Sequence, residues 1–440
     1  MMEFVLTGGL KMNAGKATIL QFKREALKVV ASAGRISTTG GSALEVLDKS
    51  DGGEKDLRLV GKVLSSGHRS VLEHQTLSIA FDNVSVLVEQ FAIEFRLASF
   101  TVKSRRYVDF SGAGFVVPEG APEGFARRME ALFELYGRLL DLGVPREDAR
   151  FVLPYCFRSN FYMTLNAREF VHFVSAMLYG RGARYPELRA LGASLKEQFD
   201  CFYPGVIDPS AVSTTAAEPL PTAFSEGSAS VGDARLLSKP DCHLLLAEAL
   251  KFSGRGNKPE FLLTDERPRE LELLNFVFNV RNVSLSCVTH FARHRMQSPL
   301  FMPTLNALAR GNYVLPETIA ALPEARAAYE DAFRTQTGFV REMIQRGLRM
   351  EDAAYCALSG HTADLLFGMN ARELLHFFKL RTCERAQWEI RAVARQMLAQ
   401  LRACEGGLFD GYGPSCLVTG RCPEGRLSCG RPRKRGEMEI

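Results

Sequence analysis

The apolar residues of the chain follow two periodicities, which predict strands in some stretches and helices in others. In LSIAFDNVSVLV (77–88) apolar residues recur at nearly every second position, which predicts a strand leading into a helix. GVPREDARFVLP (143–154) and NARELLHFFKLRTCERAQWEIRAVARQMLAQL (370–401) place apolar residues three and four positions apart, which predicts helices. We therefore expect a mixed α/β fold of the α+β class.

Two sets of motifs recur along the chain, whose 440 residues exceed what one hydrophobic core usually supports. An offset of 199 residues aligns Asn83 with Asn282, and an offset of 204 aligns MTLNAREFVHF (163–173) with FGMNARELLHF (367–377). We predict one unit written twice. The predicted parts are a first domain at 1–208, a linker at 209–235, a second domain at 236–405 and a tail at 406–440 that is rich in Cys, Gly and basic residues.

The charge balance argues against polyanionic partners. The chain has 55 Lys and Arg against 50 Asp and Glu, a formal net charge of +5, which is too small to predict nucleic acid or a membrane surface as a general partner. No apolar run reaches the length of a membrane span, and the first residues lack the features of a secretory signal. We expect a cytoplasmic protein whose anion sites are local.

Seven of the ten cysteines, from Cys156 to Cys404, are scattered without the spacing of a disulfide framework, which is typical of reduced thiols. Cys416, Cys422 and Cys429 cluster near the C-terminus at spacings wider than the CxxC pairs of zinc sites, and Cys404 is a candidate fourth ligand. Unpaired reduced thiols are the alternative. We predict no metal site, with these four cysteines as the remaining candidates.

A histidine between two arginines stands out in VTHFARHRMQSPLFMP (288–303). If the helix that follows Ser284 continues through this stretch, His290 and Arg293 lie on the same face. Such a face is either a solvated polar surface or a site for an anion, because guanidinium groups match phosphate geometry.

The two repeats carry complementary polar residues, and this favours the functional interpretation. Glu94 and Phe95 of the first repeat stand where the second has Arg293 and His294. The first repeat alone has Ser104, Arg106 and Arg150, and the second alone has Arg381. Independent decay would remove residues at random, whereas complementary loss is expected for one composite site shared between the two halves.

These motifs resemble those of the flavin-dependent thymidylate synthases. The matching segments are SSGHRSVLEH (65–74), SFTVKSRRY (99–107), DARFVLP (148–154), ARHR (292–295) and NARELLHFFKLRTCERAQWEIR (370–391). The resemblance covers both repeats and therefore most of the chain. It implies two tandem pseudo-equivalent domains of this family, each a small sheet with long helices.

The resemblance also implies a chemistry. The family binds FAD and dUMP at sites built by a homotetramer; NADPH reduces the flavin, and methylenetetrahydrofolate donates a one-carbon unit to dUMP. For this duplicated chain it implies a homodimer that mimics a tetramer of single domains. The cofactor carries the demanding chemistry, so the protein supplies mainly position and charge.

The resemblance assigns roles residue by residue. The implied catalytic residues are Arg381, Arg293 and His294. The implied substrate-binding residues are Ser104, Arg106, Arg150, Arg381 and His290. The implied FAD-binding residues are Arg293, His294, Arg295, Asn370, Arg372, His376, His68, Ser70 and Glu73. Because His290 and Val102 depart from the family pattern, activity on another pyrimidine nucleotide and noncatalytic binding of a flavin or nucleotide are the alternatives.

Overall fold

The computed structural model describes residues 15–21, 25–209, 219–255 and 262–433. The strands are β1 (Lys16–Gln21), β2 (Thr76–Ser85), β3 (Ala98–Val102), β4 (Arg158–Asn166), β5 (Asp233–Ser238), β6 (Asn275–Ser284), β7 (Gln297–Phe301) and β8 (Thr362–Asn370). The first-repeat helices are α1 (Ala26–Ile36), α2 (Ala43–Asp48), α3 (Glu54–Ser65), α4 (Val86–Ile93), α5 (Phe125–Asp141), α6 (Arg146–Ala149), α7 (Ala167–Leu178) and α8 (Pro186–Asp200). The later helices are α9 (Cys242–Phe252), α10 (Leu285–Ala292), α11 (Thr304–Arg310), α12 (Glu317–Ala320), α13 (Pro323–Gln345), α14 (Ala371–Arg381), α15 (Trp388–Cys404) and α16 (Ser415–Thr419).

Each repeat forms a four-stranded antiparallel sheet with the same strand order. The first sheet runs β1-β2-β4-β3 and the second β5-β6-β8-β7. Asn83 and Asn282, the non-glycine residues with positive φ in the described chain, lie at equivalent register shifts in β2 and β6. Asparagine tolerates this left-handed conformation better than other residues with a side chain. The mixed fold and the duplication are both confirmed.

The helices that carry the candidate site residues begin at equivalent side-chain caps. The hydroxyls of Ser85 and Ser284 accept hydrogen bonds from backbone N–H groups in the first turns of α4 and α10. The amide oxygens of Asn166 and Asn370 do the same for α7 and α14. Each cap satisfies one of the backbone donors that the first turn of a helix leaves without an intrahelical acceptor.

The chain divides into two compact units that are each assembled from both repeats. Unit 1 comprises Met1–Gly137, Leu153–Leu220 and Val340–Cys356; unit 2 comprises Arg138–Val152, Pro221–Phe339 and Ala357–Ile440. Each unit therefore contains the sheet of one repeat and a short segment of the other. In unit 2, this arrangement brings Arg150 of the first repeat together with the second sheet.

Aromatic packing forms the core beneath the site in each unit. In unit 1 the rings of Phe81 and Phe161 stack with centroids 4.4 Å apart. In unit 2 Phe291 of α10 packs on Phe367 of β8 at 5.3 Å and on Phe377 of α14 at 5.6 Å. These contacts fix α10 and α14 side by side on the sheet. No helix in the described part of the chain is long and apolar enough to cross a bilayer.

Two of the predicted helices were wrong in extent. The helix predicted over 143–154 is the short helix α6 followed by a 3₁₀ turn at Arg150–Val152, whereas the helix predicted after Ser284 is confirmed as α10, with Arg293 as its C-cap in right-handed helical backbone. The predicted helix over 370–401 is two helices, α14 and α15, separated by a turn. Gln387 ends that turn by accepting hydrogen bonds from the N–H groups of Glu389 and Ile390 at 3.0 and 3.1 Å.

Candidate functional site

The centre of the candidate site in unit 2 is a chain of hydrogen bonds through His294. Nδ1 of His294 lies 2.9 Å from Oε1 of Glu373, a residue in the first turn of α14. On the other side of the ring, Nε of Arg381 lies 3.0 Å from Nε2 of His294, and Nη2 of Arg381 donates to the carbonyl of His290 at 3.4 Å. His294 and Glu373 are buried, with 3% and 8% exposure, whereas Arg381 is partly exposed.

These contacts determine the tautomer of His294. Arginine nitrogens only donate, so Nε2 must accept from Arg381, and the single ring proton is on Nδ1, where it faces Glu373. Burial lowers the pKa of His294, Arg381 adds to the lowering, and the hydrogen bond that His294 donates to Glu373 opposes it. The ring is therefore neutral near pH 7 and acts as a bridge between a carboxylate and a guanidinium.

Exposed basic side chains lie next to His294 in the chain and on α14. Arg293 caps the end of α10, and both Arg293 and Arg295 are exposed. His376 is exposed on α14, with its ring 5.8 Å from that of His294. The arrangement can bind an anion next to the oriented guanidinium of Arg381.

Asn370 and Arg372 make a helix cap and an ion pair at the start of α14. Asn370 caps the helix through the N–H of Glu373 at 2.9 Å. Arg372 forms an ion pair with Glu272. In unit 1 the equivalent pair, Arg168 and Glu73, lies at 2.6 Å.

Arg150, from the first repeat, lies in the same unit and approaches the base of α10. Its side chain is buried, and its charge, like that of Arg381, acts on the buried thiol of Cys287, whose pKa is raised mainly by burial. Glu389 accepts hydrogen bonds from the N–H and hydroxyl of Ser284 at 2.6 and 2.5 Å. Burial raises the pKa of Glu389 to about 7, although these hydrogen bonds and Arg150 lower it.

A second polar cluster in unit 2 surrounds Asp148. Nε1 of Trp388 donates to Oδ1 of Asp148 at 2.7 Å, and the hydroxyl of Thr318 donates to Oδ2 at 2.6 Å. These residues line a cavity of about 370 Å³ together with Arg391 and Arg395. The cluster ties α6 of the first repeat to α12 and α15.

The equivalent position in unit 1 contains an aromatic cluster instead. Phe95 replaces His294 and packs on Phe173 at 5.0 Å. Arg181 lies over the ring of Phe91 at 4.6 Å and forms an ion pair with Glu94 at 2.6 Å. In unit 1, aromatic side chains and an internal ion pair therefore occupy the position equivalent to the His294 site. In the described residues, the oriented His–Arg arrangement is found in unit 2.

Unit 1 contains the other residues that the sequence singled out. Ser104 and Arg106 are partly exposed, and the N–H of Arg106 donates to the hydroxyl of Ser104 at 3.3 Å. Arg105 between them is buried in an ion pair with Glu89. Glu89 also accepts from Ser159 at 2.8 Å, so this buried network anchors the loop that presents Ser104 and Arg106.

His68, Ser70 and Glu73 are exposed near a separate cavity of unit 1. The cavity measures about 570 Å³ and is lined in part by Gly67, Arg69, Arg168, His172 and Asp208. It brings the Gly-His segment and the Asn-Ala-Arg helix of the first repeat to one concave surface.

The cysteine candidates do not assemble a metal site in the described residues. No group of three or more His, Cys, Asp and Glu side chains there is placed to hold a metal ion. Burial raises the pKa of the Cys404 thiol, which interacts with Glu405, and burial also raises the pKa of Cys383, which interacts with Cys416 and Cys429.

Sequence reasoning missed Glu373 and Asp148. Both repeats have glutamate at the third position of an Asn-capped helix, which looks like an ordinary helix-start residue because acidic groups favour that end of the dipole. Only the position of His294, 79 residues away, gives Glu373 a second role. A helix-period pattern contains no signal for such a contact.

Comparison with known proteins identifies related sequences in both repeats. The family model described as thymidylate synthase complementing protein matches residues 18–204 and 251–404. The flavin-dependent thymidylate synthase of Geobacter sulfurreducens is 36% identical over 164 residues, covering 37% of this chain and 70% of the relative. That of Nitratidesulfovibrio vulgaris is 35% identical over 206 residues, covering 44% of this chain and 83% of the relative.

Two solved structures with detectable similarity each match less than half of the chain. The UMP/dUMP methylase PolB from Streptomyces cacaoi, bound with 5-Br dUMP, is 27% identical with a TM-score of 0.38, covering 45% of this chain and 94% of its own. Thymidylate synthase X from Helicobacter pylori, with FAD and dUMP, is 19% identical with a TM-score of 0.37, covering 44% and 97%.

Proposed function

Because the chain belongs to the thymidylate synthase complementing protein family, we propose that it is a flavin-dependent thymidylate synthase. It converts dUMP to dTMP, with methylenetetrahydrofolate as the one-carbon donor and NADPH as the reductant through FAD. The observation that carries the proposal is the guanidinium of Arg381, oriented by His294 and by the carbonyl of His290 beside exposed arginines.

The donor set fits a flavin nucleotide and a nucleotide phosphate. Arg293 and Arg295 flank His294 in the chain, His376 lies on α14 with Arg381, and all three side chains are exposed and can donate to an anion. FAD, when bound and reduced, supplies the hydride that completes the methyl group. Positive charge from the two arginine side chains would favour the anionic reduced flavin over its neutral forms.

Each part of the substrate has candidate ligands among the residues of the chain. Arg381 holds the uracil ring and stabilises negative charge that develops on it, which places this residue in the catalytic role. Ser104, Arg106 and Arg150 bind the phosphate, where paired guanidinium and hydroxyl donors give charge-assisted hydrogen bonds. His290 lies at the edge of the nucleotide site through its position in the last turn of α10.

The remaining residues complete the flavin side. Asn370 and Arg372 lie at the start of α14, and His68, Ser70 and Glu73 come from the Gly-His segment of the first repeat. His294, whose two ring nitrogens are occupied, acts on the site through Arg381. We expect the residues of the two repeats to be brought together in a homodimer that contains composite sites.

The experiment is a dUMP-dependent assay on the purified full-length chain. FAD is added, bound flavin is followed by its visible absorbance, and dTMP is measured by chromatography after addition of NADPH, methylenetetrahydrofolate and dUMP. We expect bound flavin and dTMP, and we expect Arg381→Ala to reduce kcat/KM by about 100-fold or more because it removes a preorganised donor.

Arg181→Ala is the matched control, since Arg181 stacks on Phe91 in the unit 1 equivalent of the site. This variant should retain turnover. Wild-type protein that binds neither flavin nor dUMP would overturn the proposal. Methylation of UMP or dCMP in place of dUMP would support the flavin chemistry and would show that the substrate is another pyrimidine nucleotide.

A further inference from the structure

We propose that Glu373 is a positioning residue that acts through His294 to hold the guanidinium of Arg381 in its working orientation. The inference rests on the proposed function, because it concerns the residue assigned to the uracil ring. It adds a carboxylate that touches neither substrate nor flavin in the proposed site.

The geometry defines a directional relay. Glu373 accepts from Nδ1–H of His294 at 2.9 Å, which leaves Nε2 as the acceptor for Nε–H of Arg381 at 3.0 Å. The other tautomer would point an N–H at the donor of Arg381 and lose both bonds. Glu373 therefore selects the tautomer that Arg381 requires.

The burial of the relay makes the selection strict. Glu373 and His294 are 8% and 3% exposed, so water is a poor substitute for either partner. Phe377 packs against the ring of His294 at 4.9 Å and restricts its rotation. Glu373, Arg381 and His376, all from α14, are the charged or titratable groups that contribute most to the pKa shift of His294.

The first repeat shows what this glutamate does without a relay. Glu169 occupies the equivalent helix position, and its N–H donates to the cap Asn166 at 2.9 Å. Phe95 occupies the position equivalent to His294 and packs on His172, and Glu169 is 3.5 Å from Nδ1 of His172 on its own helix. Glu169 therefore shares the helix-start role of Glu373 and, among the residues that the structure describes, has no such bridge to an arginine.

The test compares Glu373→Ala and Glu373→Gln with Glu169→Ala and Glu169→Gln in the full-length protein. Kinetics are measured with dUMP as the varied substrate from about pH 5 to 9. We expect Glu373→Ala to lower kcat and kcat/KM together by about 10-fold or more, which is the pattern for loss of an interaction made in the transition state. The Glu169 variants should stay within about 2-fold of wild type.

Glu373→Gln separates positioning from a purely structural role. The amide retains an acceptor for Nδ1–H, so its activity loss should be smaller than that of Glu373→Ala. It also removes a negative charge that favours the imidazolium form, so the acidic limb of the rate profile should move to lower pH. Equal losses in the Glu373 and Glu169 variants, or an unmoved acidic limb in Glu373→Gln, would overturn the proposal.

A spectroscopic readout keeps the inference independent of turnover. The ¹⁵N shifts of the histidine rings report the tautomer, and comparison with His294→Gln assigns the signal of His294 among the eight histidines. We expect Nδ1–H in wild-type protein and a mixed population in Glu373→Ala. A wild-type ring with its proton on Nε2 would refute the relay, whereas Nδ1–H in a protein that makes no dTMP would refute only the proposed function.

Discussion

Burial decides which ionisable side chains of unit 2 carry charge. His361 is fully buried, and its Nδ1 accepts the N–H of Leu358 at 2.8 Å. Burial lowers its pKa to about 3, while burial raises the pKa of Glu389 to about 7. A base and an acid thus both favour their neutral forms, because the interior cannot hydrate either charge.

His361 should make unit 2 sensitive to acid. The unfolded chain binds a proton at the ordinary histidine pKa of about 6.5, whereas the folded chain does not until about pH 3. The free energy of unfolding should therefore fall below pH 6.5, by about 1.4 kcal/mol per pH unit from this group. Fluorescence of Trp388, the single tryptophan, reports urea unfolding of this unit.

His361→Gln is the informative variant, because it keeps an acceptor and removes the titration. The loss of unfolding free energy between about pH 7.5 and pH 5 should be smaller than in wild type by about 2 kcal/mol. Glu389 acts in the opposite direction, since its raised pKa favours the folded state at low pH, but both proteins share that contribution. Equal pH dependence would show that His361 titrates normally when folded.

Among the elements, periodicity located the helices and strands but not their ends. The apolar phase of α14 continues into α15, so the pattern could not reveal the turn that Gln387 closes. Likewise, α10 ends at Ala292 because the chain must enter β7, which pairs with β8. Both boundaries depend on pairing partners distant in sequence, and a local pattern does not contain them.

The cap of α14 should stabilise the helix that carries Glu373 and Arg381. Asn370→Ala removes the acceptor for the N–H of Glu373 and should lower the free energy of unfolding by about 1 kcal/mol. Asn370→Asp keeps a capping oxygen and should be close to wild type in urea unfolding followed by Trp388.

The same two variants also test the flavin role of Asn370. If Asn370→Asp unfolds like wild type and loses flavin affinity, Asn370 contacts the cofactor as well as capping α14. Asn166→Ala is the matched control, since Asn166 caps α7 with the same 2.9 Å bond in the first repeat. No destabilisation in Asn370→Ala would mean that solvent replaces the cap.

At the scale of the whole molecule, the duplication explains why the sequence predicted the candidate residues better than their contacts. In the alignment of the repeats, His294 and Arg381 correspond to Phe95 and Met177, so the second repeat is the one that retains these polar groups. The alignment could not show that Arg150 belongs to unit 2, because that depends on how each unit incorporates a segment of the other repeat.

The segment containing Asp148 should stabilise unit 2 through its two hydrogen bonds. Asp148→Ala leaves Nε1 of Trp388 and the hydroxyl of Thr318 without this acceptor. The substitution should lower the free energy of unfolding by about 1–3 kcal/mol, because the carboxylate is buried. The expected result is a lower urea midpoint and a changed emission maximum for Trp388.

Asp148→Asn is the matched variant, since its single amide oxygen can still serve one of the two donors and should give an intermediate midpoint. Such an ordering would mean that a first-repeat segment contributes folding energy to unit 2, so that the second repeat is not complete without the first. That dependence would also keep Arg150 in unit 2, the unit that contains Arg381, while the two repeats diverge. An unchanged midpoint in Asp148→Ala would instead mean that the segment rests on unit 2 without stabilising it.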